Sequence, residues 1–506
     1  FCKFAETRRI MANRMASLAK DTAIYGISSI VGRFINYLLT PLYTRALTEQ
    51  AEYGNITSIY AWTAFLLVFL TFGMETTMFR FANKEGEHPE KVFSTSLIFV
   101  GGLSFIFALL CWLFTEPISA AIGFENHPEY IRIMSIVVAL DSFQSIIFSY
   151  LRLQKRPIKF ASIKLIIIIL NILLNLFILR FVPIFYQNSI IFKNWFNPSD
   201  LVLYVCIINL ICSAASLPAF IPELKNLKFG FNKKLFKQMF AYSVPILILG
   251  IAGILNQVAD KMLYPHLVPG EIGKAQLGEY GAAVKIAMIM SMLIQAFRYA
   301  YEPIVFGASK ESTTNKNKLY ADSMKYFIIF ALLAFLAVVF YLDILILILG
   351  PEYRAGAKVI PIVMIAEIFM GVYFNLSFWY KLIDKTWWGG VFSFIGCAVL
   401  LAINIIFVPK YGYIACAWGG FAGYGVCMLL SYFVGQHYAP VKYPIKDITI
   451  YTVLAAVLWG VSTIFKEQGI VLKMCINTLL LLVFAAYIIK KDLPLKSIPF
   501  IRNFIR

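Results

Sequence analysis

Apolar runs long enough to cross a bilayer follow one another along almost the whole chain, and the charges sit in the short gaps between them. Crossing the hydrocarbon core as helix takes about 20 mostly apolar residues at ~1.5 Å each. Fourteen such runs can be placed, near 22–46, 57–81, 93–115, 131–151, 159–183, 200–221, 239–263, 279–301, 322–350, 358–380, 387–408, 413–435, 447–466 and 470–490. Lipid offers the backbone no hydrogen-bond partner, so each run must satisfy its own groups as helix. The expected fold class is an all-α integral membrane protein with 14 transmembrane helices.

Composition agrees: 60% of residues are hydrophobic and 14% charged, against ~25% charged in a soluble domain. A net charge of +18 could suggest nucleic acid, but its distribution argues for topology instead. With the amino terminus assigned to the cytoplasm, the inward segments carry most of the 45 Lys and Arg. The outward loops carry few, and Arg33, Arg132, Lys164 and Lys285 lie within spans. Short loops with that bias set orientation. The reading is a multi-pass membrane protein with both termini cytoplasmic and no nucleic-acid partner. Residues 1–14 read as an extension ahead of Met11 or Met15, and the run at 22–46 is too long for a cleaved signal core.

The gaps exclude several function classes. Outward loops around 184–199 and 264–278 are too short for a folded domain. Gly270, Gly273 and Lys274 have the wrong spacing for a phosphate loop, with no Ser or Thr after the lysine. The eight cysteines form no C-x-x-C pair, and His88, His127, His266 and His437 lack ligand spacing. The glycines Gly419, Gly420, Gly423 and Gly425 sit in a helical pattern and suit close helix packing. Neither cofactor nor metal nor an enzymatic centre is expected.

An internal echo organises the chain. Lys20 opens a stretch that reaches Leu42-Tyr43 and then Glu52, Tyr53 and Gly54; Lys237 opens one that reaches Leu263-Tyr264 and then Glu279, Tyr280 and Gly281. Repeats of this kind build many transporters. The expected division is a cytoplasmic segment 1–21, a six-helix bundle 22–221, a basic cytoplasmic linker 222–238, a second six-helix bundle 239–435, two further helices within 436–490 and a tail 491–506. The two bundles would form a central cavity.

Ionisable groups at membrane depth cost at least ~2.5 kcal/mol and usually face a cavity or a partner. Arg33 lies near mid-depth of the first run, and Asn36 and Tyr37 share its helix face. Asn171 and Asn175 form a second polar stripe beyond Lys164. Lys285 and Arg298, with Gln295 and Glu302, mark the eighth run. These residues are candidates for a cavity that binds a headgroup. The acids Glu75, Asp141 (beside Gln144), Asp260 and Glu367 are candidates for coupling to H+ or Na+. Glu75, Asp141 and Glu367 are equally readable as structural partners of a buried cation, whereas Lys164, Lys285 and Asp260 are near enough to span ends to reach an interface, which favours a structural role for them.

Lys20 to Gly26, Gly32-Arg33-Phe34, Pro41 to Arg45 and Glu52-Tyr53-Gly54, followed by Gly73-Met74-Glu75 and Phe79-Arg80-Phe81, resemble the opening of bacterial polysaccharide flippases. These form the Wzx-type branch, serving O-antigen and capsule, of the multidrug/oligosaccharidyl-lipid/polysaccharide (MOP) exporter superfamily. The resemblance implies movement of undecaprenyl-diphosphate-linked oligosaccharide by alternating access between two six-helix bundles. It also implies polysaccharide polymerase and assembly proteins as partners beside membrane lipids. Arg33 matches a recurrent functional arginine of such flippases, and its guanidinium fork suits a diphosphate. Two alternatives stay open: a cation-coupled multidrug or small-solute antiporter of the same superfamily, and a peptidoglycan-precursor flippase.

Overall fold

The computed structural model describes residues 37–492, apart from 48, 85, 87, 187–189, 226, 228–229, 308–312, 384 and 466. Among them there is helix and no strand. Thirteen helices, from Gln50–Ala82 to Ile470–Lys491, are long and apolar enough to cross a membrane. They fall in order on the second to fourteenth expected spans. The first, 22–46, lies largely outside the described residues, which include only its end, from Tyr37 through the helix Leu39–Ala46.

The principal helices are α1 (Leu39–Ala46), α2 (Gln50–Thr71), α3 (Met74–Ala82), α4 (Pro89–Leu113), α5 (Thr115–Ala121), α6 (Pro128–Leu153), α7 (Pro157–Leu176) and α8 (Leu201–Ala215). They continue as α9 (Lys233–Leu267), α10 (Glu271–Gly307), α11 (Thr313–Phe340), α12 (Ile360–Leu376), α13 (Trp387–Tyr411), α14 (Tyr413–Tyr438), α15 (Ile445–Ile464) and α16 (Ile470–Lys491). The chain divides into two compact units, Phe1–Ala282 with Ser393–Gly419, and Ala283–Phe392 with Gly420–Arg506.

In the first unit, prolines open α4, α6 and α7 at a position where the missing N–H has no partner to lose. Asn232 caps α9, its Oδ1 accepting from the backbone of Lys234 and Leu235, both at 3.1 Å. Glu49 N donates to Glu52 Oε2 at 3.3 Å and so closes the capping box of α2. The run from Gln50 to Ala82 is broken by Phe72 and Gly73, both left-handed at φ 53° and 66°. Glycine adopts that geometry freely, whereas for phenylalanine it costs about 1–3 kcal/mol. Phe72 is held by stacking on Phe240 at 5.1 Å and meeting Phe99 edge-on at 5.5 Å. The break re-aims α3, burying Met74 and Met78 completely while Glu75 reaches α6. Around it Phe93, Leu97, Phe148 and Phe220 complete a core. Lipid is as apolar as this core, so close packing and dispersion hold it rather than expulsion of water.

The two echoed motifs meet in the same unit. A Cβ on Gly54 would lie 1.9 Å from the Lys274 carbonyl oxygen, and one on Gly278 would lie 2.2 Å from that of Gln50. One on Gly281 would lie 2.4 Å from Thr57 Oγ1. Helices α2 and α10 therefore cross backbone against backbone, which only glycine permits. Tyr280 beside this crossing donates to Asp260 Oδ2 at 2.6 Å, and Glu279 accepts from Tyr413 at 2.8 Å.

The second unit is organised on α11, which packs against α12, α15 and α16. Asn477 donates to the Phe340 carbonyl at 2.8 Å and accepts from Ser462 at 2.7 Å. Lys473 pairs with Asp343. Beyond the end of α16, Asp492 accepts from Lys325 and Tyr451, both at 2.5 Å. Burial alone would raise the Asp492 carboxyl. The hydrogen bonds from Lys325 and Tyr451, with the charges of Lys325 and Lys491, more than offset it and hold the group below its ordinary value.

Candidate functional site: a polar stripe on α6

Asp141, Gln144, Ser145, Ser149 and Arg152 recur at helical spacing on α6, so one face of a membrane-spanning helix is polar. The stripe runs ~16 Å along the helix, from its end at Arg152 to mid-length at Asp141. At the Arg152 end, the guanidinium Nη2 donates to Glu75 Oε2 at 2.9 Å and to Ser149 Oγ at 2.7 Å. Ser149 Oγ in turn donates to Glu75 Oε2 at 3.1 Å. Arg152 and Glu75 keep 37% and 38% of their side-chain surface exposed, so the pair is accessible. Arg152 Nε, by contrast, is buried and has no acceptor among the described residues.

At the Asp141 end, Ser213 of α8 donates to Asp141 Oδ1 at 2.7 Å. Gln144 donates to the Ser213 carbonyl at 2.7 Å and accepts from Ser216 at 2.5 Å. Lys164 of α7 is exposed, with its Nζ 4.2 Å from the centre of the Phe148 ring. It stands within range of the charges of both Asp141 and Glu75. Two carboxylates, two cations and four hydroxyls thus share one stripe. Such a set can hold a proton or a small cation at either carboxylate.

The other expected residues fall elsewhere. Asn175 is fully buried, accepting from Tyr43 at 2.9 Å and donating to the Asn171 carbonyl at 2.8 Å. Asn171 reaches Asn209, which donates to Tyr60 at 3.0 Å. The Asn171–Asn175 stripe therefore ties α1, α2, α7 and α8 together. Asp260 is buried against Tyr280 and Lys261, the latter at 3.0 Å. In the second unit Arg298 lies 5.2 Å from the Phe374 ring, in a small cup lined also by Phe297, Tyr301, Phe378 and Asn375. That cup has room for about one water, at ≈ 10 Å³. Lys285 and Glu367 are half-buried, as is Tyr37. Arg33 and Asn36 lie outside the described residues.

A family model described as "Polysaccharide biosynthesis protein" matches residues 18–306, more than half of the chain. The chain belongs to that family. A Haemophilus influenzae "Uncharacterized membrane protein" is 23% identical over 315 residues, covering 61% of this chain and 70% of its own. The fold of this polysaccharide biosynthesis family member is similar to that of solved MOP transporters. A "Lipid II flippase MurJ, inward closed conformation" superposes with TM-score 0.72 at 16% identity, covering 96% of this chain and 100% of the other. An inward-facing "multidrug resistance MATE family transporter of the MOP superfamily" gives 0.59 at 13% identity, covering 82% of this chain and 94% of the other.

Sequence reading picked out Glu75, Asp141 and Lys164 of the stripe in this family member but missed Arg152, Ser149, Ser213 and Ser216. A signal for the α6 residues was present. Positions 141, 144, 145, 149 and 152 share the helical period that locates apolar faces, and the polar face can be traced by it equally well.

Proposed function

We propose that this protein is a flippase, moving an undecaprenyl-diphosphate-linked oligosaccharide across the bacterial inner membrane by alternating access, with both termini cytoplasmic. The observation that carries the reading is the α6 stripe, a set of paired charges at membrane depth in a polysaccharide biosynthesis family member with a transporter fold. On this reading Asp141 and Glu75 exchange a proton or Na+, and Lys164 and Arg152 set which carboxylate holds charge. Each unit charge moved through 100 mV supplies ~2.3 kcal/mol, enough to bias such a cycle. Arg33, with Asn36 and Tyr37, is the proposed clamp for the substrate diphosphate, on the strength of the motif it shares with polysaccharide flippases. Arg298 in its aromatic cup is a second proposed headgroup contact. Acceptance of the product by polymerase and assembly proteins would keep translocation running forward.

The test is flipping of lipid-linked oligosaccharide by purified protein in liposomes, read by access of the sugar to an external lectin. An imposed pH or Na+ gradient is expected to accelerate flipping at least tenfold, and Asp141→Asn to abolish that acceleration. Flipping that requires ATP, or that ignores both gradients and Asp141→Asn, overturns the coupling. A second reading, a cation-coupled small-solute antiporter, draws on the same accessible carboxylates and on the multidrug-transporter fold. Gradient-driven movement of a cationic dye with no flipping of the lipid substrate would favour it.

A further inference from the structure

Two carboxylates meet the cations around the turn from α6 to α7, and they are held differently. Glu223 is buried, with 2% of its side chain exposed, and accepts from Arg156 at 3.2 Å and Lys159 at 2.7 Å. Glu75 has one cation directly against it, Arg152 at 2.9 Å, and keeps 38% of its side-chain surface. Arg152 meets that carboxylate through Nη2 alone, and the same nitrogen also serves Ser149. Its Nη1 has no acceptor among the described residues and, unlike Nε, is not buried. The guanidinium fork is therefore half used, and its open half is accessible. Arg152 stands one residue from the end of the spanning helix Pro128–Leu153, at the depth of lipid phosphates rather than mid-bilayer.

Few other charges face Glu75. Helix α3 packs on α4, α6 and α9. Between Lys91 and Cys111, α4 has no ionisable side chain; between Lys237 and Asp260, α9 has only Tyr242, over whose ring Arg80 of α3 lies at 4.1 Å. On α6, Tyr150 is stacked on Phe93 at 3.9 Å, and Asp141 accepts from Ser213 further along the stripe. Lys164 of α7 completes the set, within range of the charges of Glu75 and Asp141. Two cations thus balance two carboxylates. A diphosphate diester arriving at Arg152 adds two negative charges, and like charges at close quarters disfavour an ionised carboxylate. Glu75 is the carboxylate in direct contact with that arginine, so it is the one displaced.

We infer that Arg152 is a loading contact for the substrate diphosphate, which takes this arginine from Glu75 while Glu75 picks up a proton from water. The inference rests on the proposed flippase reading and adds a second phosphate contact to the Arg33 clamp. The guanidinium exchanges a single contact with a carboxylate for a two-pronged one with phosphate oxygens. Substrate and proton then enter together, which makes loading itself the coupling step.

The experiment is calorimetric titration of the full-length protein, in phosphatidylcholine nanodiscs, with farnesyl-diphospho-N-acetylglucosamine. Both phosphates of this probe are diesters and keep their charge near neutral pH, so a proton taken up belongs to the protein. Titrations in buffers of different ionisation enthalpy count it. We expect uptake of about one proton, and binding at least fivefold tighter at about pH 6 than at about pH 8. Glu75→Gln is neutral from the start. It should bind at the higher pH as tightly as unaltered protein does at the lower one, without proton uptake, a gain that misfolding cannot imitate. Arg152→Gln should weaken binding at least tenfold, and Arg152→Lys less, because lysine keeps the charge without the fork. Binding without proton uptake, uptake that survives Glu75→Gln but not Asp141→Asn, or weaker binding by Glu75→Gln overturns the inference and leaves the flippase reading standing. Displacement of the probe by phosphatidylglycerol in the nanodisc also overturns it, assigning Arg152 to a phospholipid headgroup. Absence of binding at either pH overturns both readings.

Discussion

Two helix contacts in the first unit solve the problem of joining membrane helices in opposite ways. At the α2–α10 crossing, Gly54, Gly278 and Gly281 remove their side chains so that backbones touch. Along α6, Asp141, Ser149 and Arg152 extend polar side chains to α3 and α8, and the Glu75–Arg152 pair stays partly open. The crossing leaves no space for an added atom. The stripe has accessible surface and charges that can be redistributed. A close-packed crossing responds to volume, whereas a hydrogen-bonded stripe responds to charge and protonation. The first is suited to fixing a geometry and the second to changing one.

The sharpest way to break that comparison is to add volume at the crossing. Gly54→Ala puts a methyl 1.9 Å from a backbone oxygen that no side-chain rotation can move. We expect a loss of about 3 kcal/mol or more, beyond the usual range for overpacking. It should be read as a fall in melting temperature in detergent and in monodisperse protein. A wild-type melting curve would show that the helices separate freely, and the contrast with α6 would fail.

The Asn175 network is an intermediate case, polar yet completely buried. Asn175→Leu removes the acceptor of the Tyr43 hydroxyl and two donations to Asn171. Leaving buried groups unpaired should cost about 2 kcal/mol. Tyr43→Phe alone should cost less, and adding it to Asn175→Leu should cost little further, because the two share one hydrogen bond. Additive losses in melting temperature would mean the two side chains act separately.

On the stripe, Arg152→Gln should destabilise by only about 1 kcal/mol, since the pair is partly exposed. Glu75→Gln added to it should restore part of that loss. A full loss of folded protein from Arg152→Gln alone would show that the stripe is structural in the same sense as the crossing. The smallest effect is expected at Asp492. Its folded pKa is depressed, so its contribution is present above the unfolded value of ~3.9 and is lost as pH falls through the folded value. Unaltered protein should lose about 1–2 °C of melting temperature on acidification that Asp492→Asn does not lose. An identical acid response in both would remove this carboxylate from the account.

Much of this architecture was legible in the chain itself. A bilayer demands long apolar helices, so the spans could be counted from hydropathy. The recurrence of Glu-Tyr-Gly at 52–54 and 279–281 marked two related segments. Periodicity also contained the α6 stripe, because position along a helix fixes the face. Partnership across helices is another matter. Glu75 and Arg152 are 77 residues apart, and either could have paired with several other charges. The choice follows from the left-handed break at Phe72–Gly73, which aims α3 at α6. That Asn175 faces a helix contact likewise depends on how neighbouring helices are rotated. Local hydropathy and period determine which residues share a face. Only tertiary packing decides what that face meets, because helix rotation and approach are set by contacts distant in sequence.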